Sequence, residues 1–137
     1  MNKRIFKTKK GEGYVDVCIA TLIFVMLTVI ALNIFSFITL KADMDQIADE
    51  LITVATHTGE FGEEFNEHDI NLQDQYFLFD MSFGADEFFS SDAKVQLGHT
   101  MWVEVYVDTT VKGLGLFEIP VSLSVKRSGI SERYWKE

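Results

Sequence analysis

Hydrophobic and polar positions along this chain fall into three successive patterns. Residues 17–40 are twenty-four positions without a charge. At about 1.5 Å of rise per helical residue such a run reaches roughly 36 Å, enough to cross bilayer hydrocarbon about 30 Å thick. No Gly or Pro falls between Tyr14 and Thr58, so nothing local ends a helix where the apolar run ends. Past Leu40 the apolar positions narrow to one helical stripe, Met44, Ile47, Ala48, Leu51, Ile52 and Ala55, while Asp43, Asp45, Asp49 and Glu50 lie off it. One helix is therefore expected to lie in lipid by its first half and to leave it with one apolar face that needs a cover. Its expected end is Thr58-Gly59, where glycine takes the left-handed cap conformation.

The third pattern has a period of two. Phe77, Phe79, Met81 and Phe83 alternate with Leu78, Asp80 and Ser82 up to Gly84, and a short strand-like run covers residues 94–97. The clearest strand covers residues 100–111, with Met101, Val103, Val105, Val107, Thr109 and Val111 on one face. A Gly113-Leu114-Gly115 turn leads to a partner strand with Ile119, Val121, Leu123 and Val125 inward and Pro120 near its start, a place proline tolerates at a sheet edge. Strands with one apolar face each imply an antiparallel sheet covered on one side. The available cover is the stripe at residues 44–55. The expected fold is thus α+β: a long N-terminal transmembrane helix whose C-terminal half packs on a small antiparallel sheet. Its parts are a basic leader at 1–11, the helix at 12–58 with its span at about 15–40, and a β-rich domain at 59–137. The acidic stretch at residues 60–74 reads as a solvated connecting loop. The rings of Tyr76, Phe77, Phe79, Phe83, Phe88 and Phe89 read mainly as core, with some left to face a neighbouring subunit in so small a domain.

Charge orients this arrangement. The formal net charge is −9, yet Lys3, Arg4, Lys7, Lys9 and Lys10 put five positive charges on the first ten residues. Basic residues beside a span stay cytoplasmic, so the expected localisation is the cytoplasmic membrane, single-pass, with the N-terminus inside and the C-terminal domain extracytoplasmic. The acidic remainder argues against a nucleic-acid partner. The single cysteine, Cys18, lies in the apolar run and reads as a small apolar residue. His57, His68 and His99 have no zinc or calcium ligand spacing around them, so no metal and no cofactor are expected. There is no Ser-His-Asp or Cys-His constellation and no phosphate-binding glycine loop, which makes an enzyme the weakest reading. Asn33 is the most polar group near mid-span and is expected at a helix–helix contact.

The segment Lys9-Lys10-Gly11-Glu12-Gly13-Tyr14-Val15-Asp16 sets a glycine after a basic leader and an acid five positions on, at the mouth of the apolar helix. It resembles the cleavage signal of type IV prepilins, and a long helix half-packed on an antiparallel sheet is the pilin architecture. The resemblance implies a prepilin peptidase that cuts between Gly11 and Glu12, removing eleven residues to leave 126. It also implies that Asp16, at the fifth mature position, neutralises the new α-amino group of a neighbouring subunit. In lipid, pairing the two charges lowers the cost of each and sets the stagger between subunits. The chain departs from the commonest pattern in having Asp16 where glutamate is usual and Glu12 where Phe or Met often begins the mature chain. The alternative for both acids is a place in the first turn of a helix, where the macrodipole favours anions.

The tail Gly129-Ile130-Ser131-Glu132-Arg133-Tyr134-Trp135-Lys136, taken with residues 11–16 and 113–117, resembles a small family of TadE-like pseudopilins of Gram-positive bacteria. That family is a domain of unknown function often found with conjugation or secretion gene clusters. In this chain the tail is expected to pin the end to its own domain through Tyr134 and Trp135. Two readings of function follow. One is a pilin-like structural subunit of a type IV pilus, Tad-like, secretion or conjugation assembly, whose partners are membrane lipid, other pilin-like subunits and a prepilin peptidase. The other is an uncleaved single-pass accessory protein of a cell-envelope or DNA-transfer complex.

Overall fold

The computed structural model describes residues 9–89, 91–113 and 117–136. The leader cations Lys3, Arg4 and Lys7, Ser90, and the turn residues Leu114 and Gly115 lie outside the described residues. The elements are α1 (Lys9–Thr58), α2 (Glu63–Gln75), β1 (Asp80–Ala85), β2 (Thr100–Gly113) and β3 (Phe117–Ile130). The three strands form one sheet in the order β1-β2-β3. The fold is α+β, a long apolar N-terminal helix and a small antiparallel sheet. The chain divides into two compact units, one made of Met1–Phe37 and Val111–Ile119, the other of Ile38–Thr110 and Pro120–Glu137.

In the second unit the stripe on α1 is the centre of the core. Met44, Ile47, Ala48, Leu51 and Ala55 are fully buried, and Met101, Val103 and Val105 of β2 and Val125 of β3 are buried with them in one cluster. Removing a side chain the size of Leu51 from water contributes about 1.5–3 kcal/mol. That face, rather than helix propensity, holds this half of α1 in place. The helix ends where glycine allows it to: Gly59 has φ +73°, and its N–H donates to the Ala55 carbonyl at 2.8 Å.

The stretch expected to be a solvated loop is instead largely helix α2. Phe65 and Leu72, two turns apart, are buried in the core, and the acids between them form the wet side. Glu63 and Glu64 occupy its first turn, where the macrodipole favours them. Sequence reading gives this helix little weight because only two of its residues are deeply buried and glycines precede it. Residues 94–97 likewise form no strand. They make one isolated bridge, Glu60 to Lys94, while Val95 is buried.

β1 begins later than the alternation suggests. It pairs antiparallel with β2 in the register Met81 to Val105, Phe83 to Val103 and Gly84 to Trp102. Phe83 is 42% exposed, yet its ring stacks on Phe61 at 4.4 Å and meets Phe65 edge-on at 5.7 Å. On the other face a Cβ at Gly84 would lie 2.6 Å from the Trp102 ring, so only glycine leaves room for the indole. Lys126 sits over the same ring at 4.4 Å, and the Tyr106 hydroxyl donates to Ser82. β3 is an edge strand, which accommodates Pro120. Of its expected inward row only Val125 is buried. Val121 and Leu123 are half-buried, and Ile119 is exposed.

The tail is tied to α1 and to the segment before β2. Glu132 N–H donates to the Thr56 carbonyl at 2.9 Å, and Trp135 exchanges backbone hydrogen bonds with the Gln96 amide at 2.7 and 2.8 Å. The Trp135 indole N–H points at the carbonyls of Val95 and Gly59. Ser131 is buried and donates to Val95 O at 2.9 Å. Tyr134, expected to pack beside Trp135, is exposed. Arg127 of β3 reaches Asp49 Oδ1 at 2.8 Å and Asp45 Oδ1 at 3.0 Å. All three groups are well solvated, so Arg127→Ala is expected to lower stability by no more than about 1 kcal/mol and to matter less at high salt. Urea titrations of the detergent-solubilised chain at low and high salt check this.

Candidate functional site

The candidate surface is built on the first unit. Between Tyr14 and Phe35 the large apolar residues of α1 point outward: Leu22, Phe24, Leu27, Leu32 and Phe35 are all at least 60% exposed. A surface of this kind stays out of water only by meeting lipid or protein. Among the described residues, α1 alone is long and apolar enough to cross a membrane. The hydroxyls of Thr21 and Thr28 are satisfied within the helix, as a lipid environment requires. Thr21 donates to Val17 O and Thr28 to Phe24 O, both at 2.8 Å.

Gly11 lies in the first turns of α1, and a Cβ there would meet nothing within 4 Å, so no packing among the described residues demands glycine at this position. Glu12 continues the helix. Asp16 is exposed one turn further on, without a hydrogen bond or ion pair among the described residues. Cys18 is a free thiol on the same exposed surface. Gly11, Glu12 and Asp16 therefore share the start of one helix. Asn33 lies far along it and is not gathered with them.

Within the chain Asn33 bonds to backbone carbonyls. Its amide donates to Val29 O one turn back at 2.8 Å and to Lys112 O of β2 at 3.2 Å. Val29, Asn33 and Phe37, spaced four apart, are the half-buried residues of this segment, and with Val111 and Phe117 they line an apolar groove of about 330 Å³. Lys112 Nζ and Glu118 Oε1 face each other at 3.6 Å across the two strands. The signal available in the sequence was an apolar turn flanked by one cation and one anion. Nothing in it said which stretch of helix the turn would meet.

Elsewhere, His57 pairs with Glu132 and His68 with Glu50, each at 3.6 Å and each well exposed. These are surface pairs on different elements. Among the described residues no group of three or more His, Cys, Asp or Glu side chains is arranged to hold a metal ion.

A family model described as "Domain of unknown function (DUF4320)" matches residues 20–136. No curated protein and no solved structure matches the chain.

Proposed function

We propose, for a chain that belongs to the DUF4320 family, a pilin-like structural role: a subunit anchored in the cytoplasmic membrane by the first half of α1, with its α+β domain outside. The observation that carries this reading is the division of labour along one uninterrupted helix. Its first half is apolar and largely exposed, with only Val29, Asn33 and Phe37 half-buried before Ile38, and its second half is the central core element of a small domain. That construction suits a subunit that must hold its domain on a membrane-embedded, self-associating rod. Gly11 at an unencumbered position and the exposed Asp16 fit a leader removed after Gly11 and a carboxylate available to a neighbouring subunit's α-amino group. The partners on this reading are membrane lipid, other pilin-like subunits and a prepilin peptidase, within a pilus, secretion or conjugation assembly. No nucleic acid and no cofactor enter.

The second reading is the uncleaved accessory protein, favoured by one observation: α1 begins at Lys9 and runs helically through Gly11 and Glu12, the bond a peptidase has to open. The intact mass of the protein from its native membrane separates the two. Loss of residues 1–11, abolished by Gly11→Leu, is expected for the pilin-like subunit. A full-length mass in the wild type leaves the accessory reading. Asp16→Ala is expected to leave the domain folded while lowering co-isolation with other subunits.

A further inference from the structure

Lys112 near the end of β2 and Phe117 at the start of β3 lie against α1 inside the charge-free run, not beyond it. Three groups at that level resist burial in hydrocarbon. The Asn33 amide is held by Val29 O and Lys112 O. The Lys112–Glu118 pair has both side chains about two-thirds exposed. Strand ends also carry backbone groups that no helix can satisfy, and such backbone is not tolerated where lipid tails surround it. Yet the same hairpin end shows apolar side chains outward. Phe117 is 46% exposed and Ile119 51%, and Phe117 lines one groove with the exposed Ile30 and Ile34 of the helix. Exposed apolar rings interleaved with an amide and an ion pair are the pattern of a bilayer interface, where each kind of group finds its own layer.

We infer that the outer boundary of the bilayer runs at Asn33, and that the hairpin end rests in the headgroup–acyl region through Phe117 and Ile119, forming a second membrane contact beside the helix. The membrane-anchoring reading above underlies this. The occupant of the apolar face is lipid, because the face continues the lipid-facing surface of α1 and is rimmed by Lys112 and Glu118. The helix length agrees. Residues 14–32 are nineteen positions, about 28 Å of helix against hydrocarbon about 30 Å thick, with Tyr14 at the far boundary where aromatic residues are enriched. The span therefore ends some seven residues earlier than the charge-free run does, and residues 34–40 belong to the exit from the membrane.

The test places a single environment-sensitive fluorophore on the full chain carrying Cys18→Ser. Attachment is through Phe117→Cys, with Phe24→Cys as a reference in the span and Glu67→Cys as a reference on α2. Each protein is reconstituted into phosphatidylcholine–phosphatidylglycerol vesicles containing lipids with a nitroxide either near the headgroup or near the acyl terminus. The label at 117 is expected to lose roughly two-fold more emission to the shallow quencher than to the deep one, as befits a depth of about 5–10 Å. The label at 24 is expected to show the reverse preference and the label at 67 neither. Ile119→Cys repeats the measurement if Phe117→Cys does not fold. Quenching at 24 without quenching at 117 or 119 overturns the inference and leaves the anchoring reading standing. Emission at 117 that is blue-shifted yet untouched by either lipid means a second copy covers the face, and overturns it too. No quenching at 24 removes the anchoring reading itself.

Discussion

Phe65→Ala is expected to destabilise the folded domain by about 3–5 kcal/mol, out of the 5–15 kcal/mol typical of a domain. Phe65 is fully buried and meets the Phe61 ring edge-on at 5.1 Å and the Phe83 ring at 5.7 Å. It is also one of only two buried residues that fasten α2 to the core. Truncation loses the transfer energy of the ring and opens a cavity that Phe61 and Phe83, each held by other contacts, fill only in part. The measurement is urea unfolding of the detergent-solubilised full chain, followed by the fluorescence of Trp102 and Trp135, the only two tryptophans. Ile70→Ala on the same helix, at a position 60% exposed, is the control and is expected within about 0.5 kcal/mol of wild type. Equal effects for the two variants are incompatible with a packed α2.

Gly59→Ala combines two separable costs. At φ +73° any residue with a Cβ is strained by about 1–2 kcal/mol. In addition the new methyl would lie 2.4 Å from Arg133 Cβ and 3.1 Å from Trp135 Nε1, so the tail has to move, an overpacking cost of about 1–3 kcal/mol. The sum is about 2–5 kcal/mol. Gly98 divides it: its φ is +86°, but a Cβ there meets nothing within 4 Å. Gly98→Ala is therefore expected to show the conformational part alone. The difference between the two variants, with an altered Trp135 emission only in Gly59→Ala, measures how tightly the tail is held against the end of α1. If the two variants are equally destabilised, the tail does not press on Gly59.

These expected results bear on the functional reading because α2 and the tail both brace the second half of α1. Phe65 packs into the cluster formed by the α1 stripe, and Trp135 closes on the cap of α1 with its indole N–H aimed at Gly59 O. A helix that serves as anchor at one end needs its other end held by contacts that do not depend on the membrane. Arg127 adds a weaker tie from β3 to Asp45 and Asp49.

Long periodic patterns were legible in the sequence because each is a repeated local choice. The charge-free run, the stripe at residues 44–55 and the alternation along residues 100–111 reappear as the exposed half of α1, its buried face and the buried face of β2. Gly59 was readable as the helix stop because a left-handed cap is a property of one residue. What remained hidden depended on residues distant in the chain. Two apolar positions amid acids do not announce a helix, and α2 exists because Phe65 and Leu72 find a core made by α1 and β2. Asn33 was readable as a polar group needing a partner. That the partner is the Lys112 carbonyl, seventy-nine residues away, was decided by how far the β2–β3 hairpin extends along the helix, a length that only strand pairing sets.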